Sequence, residues 1–406
     1  MQVIRSRFFV VICLCAVFYS AQAMAEKPHH LFGSDRGLDP SFCETKTFRQ
    51  TVVYIDDMMM IEGKTDWALK ISGKLKASLT PGEKVYVVRL SPRQGLSNEE
   101  WSGCWPDYTA EQLDKLSKET FIFSENPKDG LDTQRAYFMK GFGNALTRIY
   151  NSARRPAADA GNDQKTHQKK QILRAIASDD TRFSTSSTIT RAIIYSDMQE
   201  NSDDLGSVFT FDPKAKAFTN YNEKLGSRFK NGIFYAFGVG GDTGVSPENL
   251  KEFWVRALQS MQAVLYGIGA DITVQNSVPI KGYRYDIHLT NKDKTIFEGQ
   301  DLDGAMSILV AADGTLVDSW VGFTHMSIAG LEGSFSCHGD VCALDASPKS
   351  YLLGHGIGSA VAEKIKLNGG KLNLSGQYQS GFDKKPIFFD LKATLAGDTN
   401  ATSTDN

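Results

Sequence analysis

The stretch TVVYIDDMMM (residues 51–60) decides the fold, because an apolar run ends there in two acids. The run TVVYI, Thr51 to Ile55, predicts a strand that is buried on both faces. Such strands belong to parallel sheets covered by helices. An acid pair directly after a buried strand is also a common start for a metal or phosphate site, whereas three methionines are an unusual continuation of one.

Buried strands alternate with amphipathic helices from this stretch to about residue 270. This alternation predicts an α/β fold, with a doubly wound, mostly parallel sheet and helices on both faces. Ligands of such sheets bind at the carboxyl ends of the strands. The rule singles out the segments DDM, SDMQEN and GVGGDTG.

Besides the strand 51–55, the predicted strands are 84–90, 191–198 and 231–241. The predicted helices are 65–79, 133–153, 163–179 and 246–269. In the last of these helices, Ser246 is the expected N-cap and Pro247 the first helical residue.

The pattern changes after Asp271. Short alternating runs, separated by turn signals such as Asp313-Gly314, predict an antiparallel β-rich sandwich or barrel domain. One helix is expected within 350–367. The chain therefore divides into an N-terminal extension (26–47), an α/β domain (48–270), a β-rich domain (271–396) and a polar, disordered tail (397–406).

The first 25 residues predict a signal peptide. They carry two arginines and no acid, then a short apolar segment, then small residues before Glu26. A lipoprotein anchor at Cys13 or Cys15 is the alternative, but neither cysteine follows a run of small residues. We expect a periplasmic or secreted protein that does not span the membrane once the signal is cleaved.

Charge and cysteine content restrict the classes of partner. The chain has 45 Lys and Arg against 47 Asp and Glu, a net charge of −2, which argues against nucleic acid as a partner. The basic segment 154–174 has no interleaved aromatic residues and predicts a solvated loop running into a helix.

Four cysteines follow the predicted signal peptide. Cys337 and Cys342 suit a local, loop-closing disulfide. Cys43–Cys104 follows only by elimination, since four cysteines allow three pairings.

Two strand ends resemble the von Willebrand factor A family, namely YIDDM (54–58) and IIYSDMQENS (193–202). The order of strands and helices over about 48–268 resembles the divergent, exported bacterial members. The resemblance implies a flavodoxin-like doubly wound sheet. It also implies a metal-ion-dependent adhesion site, built from Asp-x-Ser-x-Ser in a first loop, Thr in a second and Asp in a third.

The match to that metal site is incomplete. Asp197 takes the place of the third-loop acid. If Asp56 is the first motif acid, its serine positions fall on Met58 and Met60, and counting from Asp57 supplies no hydroxyl either. Thioether sulfur is a poor ligand for Mg²⁺ or Ca²⁺. The resemblance therefore implies a degenerate site, in which Asp56, Asp57 and Asp197 bind Mg²⁺ or Ca²⁺ weakly or, alternatively, cap helices and meet solvent.

Three functions are consistent with the sequence. The first is an exported, non-enzymatic protein that binds another protein of the cell envelope through the strand-end loops. The second is a metal-dependent phosphoesterase using Asp56, Asp57 and Asp197. The third is a structural part of an envelope complex. The sequence lacks a nucleophile-elbow motif and a phosphate-binding loop, which favours the first.

Overall fold

The structure is a computed structural model. It describes residues 37–119, 130–157, 168–183, 188–215, 219–226, 229–240, 244–291, 301–323, 328–338, 341–349, 360–361, 365–368, 371–379 and 386–398. No helix among these residues is both long and apolar enough to cross a membrane. The predicted signal peptide and the end of the predicted tail lie outside the described residues.

Strands and helices alternate in the first part of the chain as predicted, but this part also has elements that were not predicted, among them Leu96–Cys104, Ala110–Glu119 and Ala263–Gly269. The helices are α1 (Asp66–Ser78), α2 (Ala110–Glu119), α3 (Leu131–Ala153), α4 (Ile172–Ala177), α5 (Tyr221–Leu225) and α6 (Pro247–Ser260). The strands are β1 (Arg49–Asp56), β2 (Lys84–Ser91), β3 (Leu96–Cys104), β4 (Ile189–Tyr195), β5 (Asn201–Ser202), β6 (Gly206–Ser207), β7 (Gly232–Phe237), β8 (Ala263–Gly269), β9 (Pro279–Asn291), β10 (Leu302–Ala311), β11 (Ser319–Phe323), β12 (Ile328–His338), β13 (Val341–Lys349), β14 (Ala360–Val361), β15 (Ile365–Asn368), β16 (Lys371–Gln379) and β17 (Pro386–Asp398).

A six-stranded sheet organises the first part of the chain, in the order β3-β2-β1-β4-β7-β8. Every neighbouring pair is parallel except β2 and β3, which form an antiparallel edge. Without that edge strand the order is flavodoxin-like, so the predicted fold class is confirmed. The order reverses between β1 and β4, and the crevice at such a reversal is where these sheets bind ligands.

The sixth strand, β8, corrects a prediction. The stretch 246–269 reads as one long helix, but α6 ends at Ser260 and residues 263–269 pair with β7. Gln262 has a φ of +63°, a left-handed conformation that reverses the chain between the two elements. The predicted helix start is right, since Pro247 opens the helix and the Ser246 side chain accepts a hydrogen bond from the Asn249 N–H.

The predicted helix 163–179 is also shorter than expected. Its helical part is α4, of six residues, and residues 163–167 lie outside the described residues. Residues 168–171 are not helical, and Lys170 forms a backbone bridge with Asn201. The peptide N–H of each residue donates to the carbonyl of the other at 2.8 Å. This bridge holds Lys170 beside the end of β4.

The second part of the chain forms an antiparallel sheet that closes on itself. Pairing runs from β9 through β10, β11, β12, β13, β15 and β16 to β17, which pairs with β9 again. A closed sheet is the second of the two predicted alternatives. The helix expected within 350–367 is wrong where the structure describes it, because 360–361 and 365–368 are strands, and its other residues lie outside the description.

The two sheets share one hydrophobic core. One face of the parallel sheet is covered by α4, α5 and α6. The other face packs under α1 and α3, and also against Leu309, Trp320 and Ile328 of the closed sheet. The closed sheet therefore supplies part of the cover that helices provide elsewhere. The predicted domain boundary at 270/271 falls between β8 and β9, but the cores on its two sides are continuous.

Buried ions also join the two sheets at the amino ends of β1 and β2. We call this group, Arg49, Glu83, Arg191 and Asp318, the interface cluster. Arg49 donates to Glu83 at 2.9 and 3.0 Å and to Asp318 at 2.6 Å, and Arg191 donates to Glu83 at 3.2 Å. The Tyr235 hydroxyl donates to the other oxygen of Asp318. Burial alone would raise the pKa of Glu83, but the two guanidinium groups outweigh it and lower it to about 2.

One predicted disulfide is present. Cys43 and Cys104 are bonded, which ties the segment before β1 to the end of β3 across 61 residues of chain. Cys337 and Cys342 face each other in the β12–β13 pairing. Their side chains lie outside the described residues, so that disulfide stays a prediction.

Candidate functional site

The end of β1 places Asp56 in the crevice between β1 and β4. Its side chain is fully buried. One carboxylate oxygen accepts the Met58 peptide N–H at 2.9 Å, and the other accepts the Ser196 hydroxyl at 2.7 Å. Asp56 is the last residue of β1, and at this strand end a backbone donor and a hydroxyl donor both reach its carboxylate.

The end of β4 supplies the second acid. Asp197 follows Ser196, and its carboxylate accepts the Gln199 peptide N–H at 3.0 Å. Met198 has a φ of +59°, and its carbonyl accepts the Trp254 indole N–H at 2.7 Å. The hydrogen bond from Trp254 of α6 thus holds the turn in place. The Asp197 side chain is 22% exposed, whereas the Asp56 side chain is fully buried.

Lys170 brings the two acids together. Its ammonium lies 2.6 Å from an oxygen of Asp56 and 2.6 Å from an oxygen of Asp197. Burial alone would lower the pKa of this ammonium, but the carboxylates of Asp197 and Asp56 outweigh burial and raise it above its ordinary value. Lys170 is therefore charged at neutral pH. We call Asp56, Ser196, Asp197 and Lys170 the strand-end cluster.

Asp57 does not join this cluster. Its carboxylate accepts the Ser91 hydroxyl at 2.6 Å and lies 3.5 Å from the Arg89 guanidinium, both at the end of β2. The methionines that follow divide in the same way. Met60 is fully buried in the core, while Met58 and Met59 line the cleft described below. Within the stretch DDMMM, Asp56 therefore belongs to the strand-end cluster, and Met58 and Met59 line the cleft.

The cluster does not fit a resident divalent cation as it stands. A divalent cation needs about six oxygen ligands, and here an ammonium occupies the space between the two available carboxylates. Within the described ranges, no group of three or more His, Cys, Asp or Glu side chains could hold a metal ion. Metal binding by Asp56, Asp57 and Asp197 stays a prediction, and it would require Lys170 to move away.

A cleft opens above the strand-end cluster. It has a volume of about 320 Å³. Trp67 of α1 stacks on Tyr195 at 5.0 Å and 11° and forms one wall. Gly238 and Gly240, from the predicted GVGGDTG segment, form part of the rim, while residues 241–243 of that segment lie outside the description. The lining is completed by Met58, Met59, Ile61, Lys64, Asp66, Lys70, Arg155, Gln168, Lys170, Asp197, Gln199, Phe209, Phe237 and Ala270.

Gln199 is the unusual polar residue of this cleft. The residue is only 8% exposed, and among the described residues its amide nitrogen has no hydrogen-bond partner. That nitrogen has almost no accessible surface, so a ligand in the cleft does not reach it while the side chain keeps this position.

Sequence reasoning placed Asp56 and Asp197 correctly at neighbouring strand ends but missed Lys170, Ser196 and Gln199. Ser196 and Gln199 lie within the predicted strand-end segment SDMQEN, so position alone could have drawn attention to them. Lys170 lies in a basic stretch that predicts a solvated loop and a helix. Nothing in its local sequence distinguishes it from Lys169, which is exposed and pairs with Asp203.

Comparison with known proteins adds little to this description. No protein-family model matches the chain, and no curated protein matches it. Similar solved structures include the ArnB paralog VWA2 from Sulfolobus acidocaldarius (TM-score 0.30, 11% identity, 86% of this chain and 66% of that one) and the human COPII-coat protein Sec24c (TM-score 0.29, 8% identity, 86% and 44%). The chain thus spans less than two thirds of either structure. Likenesses this weak carry no argument, so the fold assignment depends on the strand order.

Proposed function

We propose that this chain is an exported, non-enzymatic protein that binds another protein of the cell envelope, through the cleft at its strand ends and without a metal ion. The observation that carries the proposal is the ammonium of Lys170 between Asp56 and Asp197. This internal cation neutralises acids that would otherwise repel each other. The strand-end loops can therefore keep one geometry without a bound ion.

The composition of the cleft supports a polypeptide ligand. The lining contains Trp, Tyr, Met and Arg, which are enriched in the cores of protein interfaces, together with Lys and Asp, which are depleted there but suit a polar rim. Export and location in the envelope are part of the proposal, and they depend on the sequence of residues 1–25. The phosphoesterase alternative gains no support, because Asp57 faces β2 and Lys170 already engages Asp56 and Asp197.

A peptide-display experiment tests the proposal. A random peptide library would be selected on the mature chain in the presence of EDTA, and the selected peptides measured against two variants. Gly240→Trp places a large side chain at the cleft rim, where a Cβ meets nothing within 4 Å. Gly143→Trp is the matched control, since its Cβ also meets nothing within 4 Å and it lies in α3 outside the cleft lining.

We expect peptides that bind in EDTA, lose at least tenfold in affinity with Gly240→Trp and bind Gly143→Trp unchanged. Two outcomes would contradict the proposal. One is binding that requires Mg²⁺ or Ca²⁺. The other is a set of selected peptides that bind Gly240→Trp as tightly as the unmodified protein.

A further inference from the structure

We propose that Lys170 and Asp56 join slowly in an intramolecular isopeptide bond, with Asp197 as the catalytic residue that transfers a proton. The bond links Nζ of Lys170 to Cγ of Asp56 and releases one water molecule. The ion pair described above is the state that precedes the bond. This inference makes the strand-end cluster a site of covalent self-modification, and it does not depend on the partner that the cleft binds.

The contact between the two reacting groups is the first observation. The Lys170 nitrogen lies 2.6 Å from Oδ2 of Asp56, and the carbon that it must reach is the atom bonded to that oxygen. The side chains of Lys170 and Asp56 are only 5% and 0% exposed. Groups that a fold holds in contact react as if at a very high concentration, which in well-oriented cases reaches about 10⁵–10⁸ M. The fold therefore supplies an approach that two free side chains lack.

The two oxygens of Asp56 have different partners, which assigns them different fates. Oδ1 accepts the Met58 peptide N–H at 2.9 Å. A backbone donor at this oxygen stabilises the negative charge that develops there when an amine attacks the carbon. Oδ2 accepts the Ser196 hydroxyl at 2.7 Å and also contacts Lys170. Oδ1 is therefore the future amide oxygen, and Oδ2 is the oxygen that leaves.

Asp197 completes the path of the protons. One of its carboxylate oxygens lies 2.6 Å from the same Lys170 nitrogen. The ammonium carries three protons, and the amide keeps one of them. Of the other two, one passes directly to Oδ2 of Asp56, and one passes to Asp197 and from there to the same oxygen, which leaves as water. Asp197 ends as the carboxylate that it was at the start.

Loss of two buried charges favours the product. A buried ion pair carries the cost of removing both ions from water, whereas an amide carries no charge. Burial lowers the pKa of the Lys170 ammonium and the two carboxylates raise it by more, so the free amine is a minor form and the bond forms slowly. The cations of the interface cluster are arginines, which stay protonated and do not attack a carboxyl carbon. Of the two buried clusters, the one with a lysine can therefore react.

Intact-mass spectrometry tests the proposal. The chain is purified unfolded from inclusion bodies and refolded by dilution from urea, and each sample is denatured and reduced before its mass is measured. We expect the protein to become lighter than its sequence by one water molecule as it folds. Trypsin does not cut after an acylated lysine, so the digest should contain a branched peptide that joins residues 50–64 to residues 170–174. Fragmentation of this peptide distinguishes Asp56 from Asp57.

Variants assign the role of each residue. Lys170→Arg should keep its full sequence mass, and Asp56→Asn should lose one ammonia molecule instead of water. Asp197→Asn should slow the loss of water about a hundredfold or more, the usual contribution of a positioned acid or base. Lys169→Ala is the matched control, because that lysine is 54% exposed, and it should lose water as fast as the unmodified protein. Circular dichroism shows whether each variant is folded.

The inference is overturned if the folded, unmodified protein keeps its full sequence mass. Where dilution does not refold the chain, protein purified folded from the soluble fraction is measured in the same way. A branched peptide that joins Lys170 to Asp57 or Asp197, or a folded Asp197→Asn variant that loses water at an unchanged rate, also overturns it. The proposed function fails on other results, namely display peptides that need a divalent cation or that bind Gly240→Trp as tightly as the unmodified protein.

Discussion

The two buried ion clusters at opposite ends of the parallel sheet use the same chemistry for different purposes. In each, a buried cation lies between two carboxylates. Arg49 and its partners Glu83 and Asp318 are almost completely sealed, and they join the parallel sheet to the closed sheet. Lys170 and Asp197 instead line a cleft. The first cluster is closed to solvent and ties two sheets together, whereas the second leaves one of its acids, Asp197, 22% exposed.

The largest effect should come from breaking the sealed cluster. Arg49→Met leaves Asp318 without a charged partner and Glu83 with Arg191 alone, and we expect a loss of about 3–5 kcal/mol in the free energy of unfolding. Urea denaturation of the two proteins measures this loss. Arg148→Met is the control, because that guanidinium is 53% exposed and lies 3.7 Å from Glu100. Equal effects of the two variants would show that the interface cluster does not stabilise the fold.

Removing the cation of the strand-end cluster should cost somewhat less and should create a metal response. Lys170→Ala leaves Asp56 and Asp197 facing each other across an empty space, and we expect a loss of about 2–4 kcal/mol in EDTA. Added Ca²⁺ or Mg²⁺ should raise the Tm of this variant, because a bound ligand stabilises the folded state, and should leave the unmodified protein unchanged.

The neighbouring residue provides the control for that experiment. Lys169→Ala removes an ammonium that is 54% exposed and pairs with Asp203. We expect Lys169→Ala to change the free energy of unfolding by no more than about 1 kcal/mol. We also expect it to leave the Tm unresponsive to Ca²⁺ and Mg²⁺, as in the unmodified protein. A cation-dependent Tm in the unmodified protein would show that Lys170 does not substitute for a metal ion.

The two ends of the sheet should also respond to pH in different ranges. Glu200 accepts the Leu173 peptide N–H at 2.8 Å and the Ser202 hydroxyl at 2.9 Å, and burial raises its pKa to about 7 from an ordinary 4.5. The folded state therefore holds this proton more tightly than the unfolded state. Stability from this group is complete below pH 4.5 and is lost as pH rises through about 7.

We expect this loss to amount to about 3 kcal/mol between pH 4.5 and pH 8, from the difference between the two pKa values. Glu200→Gln should remove most of that dependence. Glu83 behaves oppositely, because its lowered pKa gives stability that is present above pH 4.5 and lost as pH falls towards about 2. Urea midpoints at several pH values measure both. If the free energy of unfolding of Glu200→Gln changes with pH as much as that of the unmodified protein, the pH dependence arises from other groups.

The smallest effect should come from the second acid of the DD pair. Asp57 is 19% exposed and pairs with Ser91 and Arg89, so Asp57→Asn should cost no more than about 1 kcal/mol. Asp56→Asn should cost about 2–4 kcal/mol, since it leaves Lys170 with one carboxylate in a buried site. Urea denaturation of the two variants compares them, and similar losses would contradict the separate roles assigned to these neighbours.

The sequence predicts the parallel sheet well because each of the strands β1, β2, β4 and β7 contains a run of three or more apolar residues, with a helix between most of them. The prediction is wrong at β8. The apolar run AVLYGIG begins only two residues after the end of α6, so the sequence stays apolar from the helix into the strand. Helical and buried-strand segments cannot be separated by periodicity when both are apolar. The reversal depends on the left-handed conformation of Gln262, which sequence does not mark.

The sequence predicts only part of the candidate site, because it indicates the strand order but not the long-range contacts between loops. Asp56 and Asp197 lie at fixed places in the strand order, and topology alone brings them together. Lys170 reaches them through a backbone bridge to Asn201, a long-range contact that no local pattern encodes. Asp57 was grouped with them because it is adjacent in sequence. However, β1 ends at Asp56, and Asp57 begins a 3₁₀ turn in which its side chain contacts Ser91 of β2.

The ammonium between Asp56 and Asp197 has a consequence for how the strand ends depend on the surrounding solution. An ion taken from the surroundings has an occupancy that follows its concentration and is removed by chelators. A lysine side chain is synthesised with the polypeptide, and its local concentration is set by the fold alone. The strand-end cluster is therefore complete as soon as the chain folds, in any ionic composition that it meets.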